Sequence, residues 1–181
     1  MELTKTGIDG VDSILNGGIV KNATVLVSGN PGTGKSIFGI QFIYNGVTMY
    51  DQKGIYLTFE ENADDLQRAA ESLGFDEWGE LVEAGDIKVY DKQVLLREND
   101  FSSTLDRLLD DLQDSEYERL VMDSLTMFQL FFDTEKEKRT YLLQFSDILK
   151  RNGFTSLLIS EQGSMFPETE VSLENFLTDG N

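Results

Sequence analysis

The sequence has no cysteine and no histidine. The first absence excludes disulfides, iron–sulfur clusters and thiolate zinc, and the second excludes a neutral-pH imidazole base. Any acid–base chemistry must therefore run on carboxylates, lysine, tyrosine or water. Cations are also scarce: fifteen lysines and arginines face thirty-three aspartates and glutamates, for a formal charge of −18. Such a surface repels polyanions and offers no basic stripe for a nucleic-acid backbone to follow, so nucleic-acid binding is not expected. Two readings of the acidity stay open, adaptation to a salt-rich cytoplasm and an ordinary acidic cytosolic protein. The start, "MELTKTGIDG", lacks a basic-then-apolar targeting pattern, and no apolar run is long enough to span a bilayer. A soluble, cytoplasmic protein without membrane insertion is expected.

At 181 residues the chain fits one compact domain. Short apolar, β-branched runs alternate with segments of helical period, the pattern of a mostly parallel sheet covered by helices in an α/β fold. Strands are expected at Thr24–Ser28, Ile55–Phe59, Ile87–Tyr90, Arg119–Asp123 and Thr155–Ser160. Lys88 interrupts the third of these and marks it as an edge. Leu66, Ala69, Ala70 and Leu73 describe one face of a helix, with Asn62 as its N-cap, Asp64 and Asp65 in its first turn and Gly74 just past its end. Leu105, Leu108, Leu109 and Leu112 repeat that spacing behind Ser102 or Ser103. Tyr141, Leu142, Phe145, Ile148 and Leu149 form the stripe of a longer helix closed by Gly153.

Between the first strand and the helical run that follows lies "GNPGTGKS", Gly29, Asn30, Pro31, Gly32, Thr33, Gly34, Lys35 and Ser36. The string G-x-x-x-x-G-K-[ST] arises by chance in about one chain in a hundred of this length. Here it also has the strand before and the helix after that it requires. Its glycines let backbone N–H groups converge on phosphates at the positive end of a helix dipole. Lys35 adds a point charge for the terminal phosphates, and the Ser36 hydroxyl suits magnesium. "ERLVMDS" is an apolar strand ending in an acid, Asp123, placed to orient a metal-bound water opposite Ser36. Asp91, after "IKVY", is its rival.

Together these segments resemble the KaiC-like branch of the RecA-type ATPases. "TGIDGVDSILNGGI" is similar to that family's opening helix, "VLVSGNPGTGKS" to its phosphate loop and "YLTFEEN" to its catalytic strand end. "VMDSLT" resembles its magnesium strand, "LLISEQ" the strand leading to its second mobile loop, and "ENFLTDG" the start of the strand beyond. The branch contains clock ATPases, archaeal signalling proteins and motility regulators. The resemblance implies a RecA-like P-loop sheet with helices on both faces, in which the strand ending at Glu60 lies beside the strand ending at Asp123. It implies ATP and Mg2+ as cofactors, Glu60 as the residue that polarises the attacking water, and Glu61 as its accompanying acid. Ser160, Glu161 and Gln162 match the place where the family senses the γ-phosphate.

The family continues past this point into further strands and a basic motif that reaches the neighbouring subunit's γ-phosphate. A domain over residues 1–181 that lacks those strands would turn over slowly and would uncover a sheet edge beside the phosphate-loop strand, open to self-association. Arg139 and Arg151 are the remaining basic candidates. A homo-oligomer, hexamer or dimer, and a protein partner are implied. "TMFQLFF", Thr126–Phe132, is either an interface patch or a helix buried against the sheet. "GSMFPETEVSLE", Gly163–Glu174, occupies the position of the loop that contacts DNA in nucleic-acid-binding relatives, but carries three glutamates and no cation. Its Ser164, Thr169 and Ser172 sit where clock members carry phosphorylated residues. The function expected is Mg-dependent ATP hydrolysis that signals nucleotide state to protein partners. The alternative is an ATP-binding regulatory module with little hydrolysis.

Overall fold

The computed structural model describes residues 2–96 and 101–161. In chain order the elements are β1 (Leu3–Thr4), α1 (Val11–Ile14), β2 (Ile19–Val20), β3 (Thr24–Gly29), α2 (Lys35–Tyr50), β4 (Gly54–Thr58), α3 (Ala63–Ser72), α4 (Trp78–Ala84), β5 (Ile87–Tyr90), α5 (Lys92–Leu95), α6 (Phe101–Leu112), β6 (Arg119–Asp123), α7 (Leu125–Gln129), α8 (Glu135–Arg151) and β7 (Thr155–Glu161). β1 and β2 form a small antiparallel pair. The other five strands form one parallel sheet in the order β3-β7-β6-β4-β5. All five expected strands are present. β5 lies at the edge, as Lys88 indicates, and β3 bounds the opposite side among the described residues.

Helices cover both faces, which is why β4 and β6 read as nearly unbroken apolar runs rather than as alternating ones. Ile55, Leu57, Leu120, Met122 and Leu158 point into one core with Leu105, Leu108 and Leu112 of α6, Phe128 of α7, and Leu142, Phe145 and Leu149 of α8. Tyr56, Val121, Leu157 and Ile159 point the other way, toward Ile40, Phe42 and Ile43 of α2, Leu66 and Ala70 of α3, and Trp78 of α4. Alternate residues of one strand thus serve two cores.

The helix with the clearest sequence signals forms as those signals require. The Asn62 side chain accepts the Asp65 N–H at 2.9 Å, Asp64 and Asp65 occupy the first turn, and Gly74 follows with φ of +90°. α6 differs: it already includes Phe101, so Ser102 and Ser103 lie inside its first turn instead of capping it. The opening segment holds only the four-residue helix α1. "TMFQLFF" is a buried element. Phe128 is 1% exposed, and Phe131 and Phe132 pack with it against Phe59, Phe101 and Tyr141 at ring separations of 4.4–6.1 Å. Among the described residues no helix is long and apolar enough to cross a membrane.

Candidate functional site

The carboxyl ends of β3, β4, β6 and β7 meet the loop that joins β3 to α2. In an open parallel sheet this is the edge where ligands bind. Gly32 and Gly34 have φ of +78° and +88°, a backbone region that side chains disfavour, and an added Cβ on either would meet nothing within 4 Å. These glycines are therefore needed for conformation and not for space. They bend the loop back over the start of α2, whose first N–H groups open toward it. Thr33 ties the turn, its hydroxyl donating to Asn30 O at 2.8 Å. The Lys35 ammonium donates to Gly29 O and Asn30 O, both at 2.9 Å, and so stands over the loop that it follows.

A cleft of about 300 Å³ opens at this place, lined by Pro31, Gly32, Gly34, Lys35 and Ser36 from the loop together with Glu60, Asp123, Ser124 and Glu161. The register explains the convergence. Thr58 of β4 is paired with Asp123 of β6, Asp123 with Ile159 of β7, and Gly29 of β3 with Glu161. Past the end of β4 the ladder gains one more bond, Phe59 N–H to Asp123 O at 3.0 Å, so Glu60 leaves the sheet beside Asp123. Phe59, 2% exposed in the aromatic cluster, anchors that exit.

The turn carrying the two glutamates is held from three sides. Glu61 N–H donates to the Thr58 hydroxyl at 3.2 Å. Lys92, at the start of α5, donates its ammonium to Glu60 O at 3.0 Å and its backbone N–H to Glu61 O at 3.2 Å. Partial burial is the chief force that raises the Glu60 carboxyl pKa, followed by the negative charges of Asp123, Glu161 and Glu61, with Lys35 opposing. Glu61 is raised by burial, Asp123 and Asp65, with Lys92 opposing.

Sequence reasoning missed Tyr56 and Lys92. Tyr56 is fully buried on β4, and its hydroxyl donates to Asp123 Oδ2 at 2.7 Å. Burial and the Asp123 charge hold that phenol well above the usual tyrosine range. The signal available was a phenol inside the largely apolar run "GIYLT". Asp91 proves to be a structural carboxylate that caps α5 and does not line the cleft. Ser160 is buried behind the cleft, its hydroxyl 3.5 Å from that of Thr126, which also accepts the Glu161 N–H at 3.0 Å. Gln162 and the acidic loop Gly163–Glu174, with Ser164, Thr169 and Ser172, lie outside the described residues. Arg151 pairs with Asp147 one turn away on α8 at 2.8 Å. Neither Arg151 nor Arg139 lines the cleft.

The oxygen donors that line the cleft include the Ser36 hydroxyl and the Asp123 carboxylate, with Glu60, Ser124 and Glu161 beside them, all hard ligands. Among the described residues no cluster of three or more acidic side chains could hold a metal unaided. This donor set fits magnesium, which keeps several waters and binds through one or two protein oxygens plus phosphate oxygens.

A glycine loop opening a helix, facing carboxylates at the ends of adjacent parallel strands, defines a P-loop protein of the RecA-type α/β class. The comparisons with known proteins sharpen the class to a family. The family model described as "ATPase: KaiC" matches residues 4–181, and the chain belongs to that family. Circadian clock oscillator proteins KaiC of Thermostichus vulcanus and Synechococcus elongatus are 30% and 32% identical to it over 96% and 97% of this chain. The chain spans about a third of their length, 35% of each. A UPF0273 protein of Pyrococcus horikoshii is 36% identical over 87% of this chain and 67% of its own. The crystal structure of a KaiC-like protein from the same archaeon superposes with a TM-score of 0.81 at 32% identity, covering 98% of this chain and 77% of that one. Nucleotide binding is thus the general activity of the domain.

Proposed function

We propose that this chain is a magnesium-dependent ATPase that reports its nucleotide state to protein partners and works as a homo-oligomer, hexamer or dimer. Backbone N–H groups of the loop Gly29–Ser36 cradle the phosphates, and Lys35 exchanges its bonds to Gly29 O and Asn30 O for phosphate oxygens. Ser36 and Asp123 would hold magnesium, which would supply neutralisation of the negative charge on the phosphates. Glu60 accepts a hydrogen bond from the attacking water and draws off its proton as the new P–O bond forms. The bond to the ADP oxygen breaks in line with it. Glu61 adds negative charge beside Glu60, and Ser160, Glu161 and Gln162 follow the γ-phosphate from the end of β7.

The observation that carries this reading is the placement of Glu60 in one cleft with Asp123 and Lys35, its carboxyl pKa raised by partial burial and the neighbouring carboxylates. Steady-state phosphate release tests it. Glu60→Gln should abolish turnover and keep nucleotide binding, and Lys35→Ala should abolish binding. A Glu60→Gln variant with the parental rate would refute the catalytic assignment and leave the binding assignment standing. One observation favours the second reading, a regulatory module that hydrolyses little: among the described residues lining the cleft, Lys35 is the only cation. A phosphate-release rate no higher than that of Glu60→Gln would select it.

A further inference from the structure

The side chain of Tyr56 asks for a function that its neighbours do not need. The other large side chains of β4, Ile55 and Leu57, are apolar, and a phenylalanine would fill the same space as Tyr56. The hydroxyl reaches two oxygens, Asp123 Oδ2 at 2.7 Å and Ser36 O at 3.5 Å. Its single proton belongs to the nearer, where the distance is that of a charge-assisted O–H···O⁻ bond.

The sheet makes this contact possible. Tyr56 is paired with Val121, two residues before Asp123 on the same face of β6, so a long side chain leaning along the strand reaches the carboxylate. The ring cannot swing away. Trp78 meets it edge-on at 6.2 Å, and α2 presses on it from above at Gly39, where an added Cβ would lie 2.9 Å from Val121 Cγ1 and 3.4 Å from Tyr56 Cε2. A clamped ring gives a hydroxyl fixed in space.

We infer that Tyr56 is a positioning residue for the metal-orienting carboxylate: its hydroxyl engages Oδ2 of Asp123, fixes the rotation of the carboxylate and leaves Oδ1 for the water of a cation in the cleft. The inference rests on the proposed role of Asp123. Groups that orient metal ligands from behind alter metal affinity by about tenfold or more when removed. The same hydroxyl lies 3.5 Å from Ser36 O, beneath the first turn of α2, which carries the other oxygen donor.

Tyr56→Phe keeps the ring and removes only the bond. The test is equilibrium binding of a fluorescent ATP analogue to the full chain as magnesium is titrated, with a parallel measurement in EDTA. The expected result is a magnesium midpoint raised about tenfold with an unchanged affinity in EDTA. Loss of one hydrogen bond should lower Tm by only about 2–4 °C, and the emission of Trp78, the single tryptophan, reports that the fold around the ring is kept. A midpoint within about twofold of the parent, when Asp123→Asn shifts it strongly, would overturn the inference and spare the role of Asp123. Parallel losses of affinity with and without magnesium would assign Tyr56 to packing and overturn it too. An unshifted midpoint in Asp123→Asn would remove the role of Asp123, and the inference with it.

Discussion

Asp91 holds the N-termini of two helices at once. Its Oδ2 accepts the N–H of Ala63, the first residue of α3, at 2.8 Å, while its Oδ1 accepts the N–H of Val94 in α5 at 3.0 Å. The side chain is 7% exposed. The edge strand β5, which ends at Tyr90, thereby fixes the helix that begins three residues after Glu60.

Asp91→Ala removes both caps and opens a small cavity. Each lost cap costs about 1 kcal/mol, and the two orphaned N–H groups raise the total to about 2–4 kcal/mol. Chemical denaturation checks this, and Asp91→Asn should recover about half of the loss, since an amide oxygen can satisfy only one of the two sites. The same variants should slow phosphate release more than they weaken nucleotide binding.

Lys92 is expected to act on turnover through the backbone. Its ammonium bond to Glu60 O restrains the turn and leaves the Glu60 carboxylate free. Lys92→Met should lower kcat about three- to tenfold with little change in nucleotide affinity, because a displaced base loses rate steeply. Parallel falls in kcat and affinity would place Lys92 in binding instead.

Glu60 carries a stability cost that its substitution should reveal. A carboxyl raised in the folded state disfavours folding when ionised: the cost is absent below the unfolded pKa and grows as pH rises through the folded one. Glu60→Gln should therefore raise Tm at neutral pH, and the gain should fade as pH falls through the carboxyl range. Thermal melts of both proteins across that range, without nucleotide, give the answer. A gain that is flat with pH would assign the effect to packing.

Arg119 is a fully buried cation with no carboxylate paired to it among the described residues. It donates to Gln52 Oε1 at 2.8 Å, Phe42 O at 2.8 Å and Lys5 O at 2.7 Å, with its guanidinium over the ring of Phe42 at 4.6 Å. Burial pulls its pKa down to about 10. Lysine cannot reach three acceptors in that fork, so Arg119→Lys should cost on the order of 3–5 kcal/mol. Because one of those acceptors is Lys5 O, the variant should also become open to proteolysis near its N-terminus.

Much of the fold could be read because parallel strands buried on both faces advertise themselves as short β-branched runs. The expected strand starts at Ile55, one residue after Gly54, a residue type that strands disfavour. Yet its N–H bonds to Asp86 O at 3.0 Å, and pairing with β5 outweighs the propensity. That the phosphate loop and Asp123 stand at strand ends was legible in short local patterns, while the place of Glu60 beside Asp123 came from the family resemblance; all of them line one cleft. Tyr56 and Lys92 were not legible, since their meaning depends on residues 67 and 32 positions away that only strand order brings near. Asp91 was visible as a carboxylate after a strand, but its task of capping two helices is set by α3, which the local pattern does not show.

The order β3-β7-β6-β4-β5 has a further consequence during synthesis. β3 emerges early, yet its only ladder among the described residues is with β7, the last of the described strands, which lies between β3 and β6. Until the ribosome has delivered residues near Glu161, the wall bearing Lys35 has no strand to bridge it to the wall bearing Asp123. Under the proposed function, ATP should therefore stabilise only chains in which β7 has already inserted.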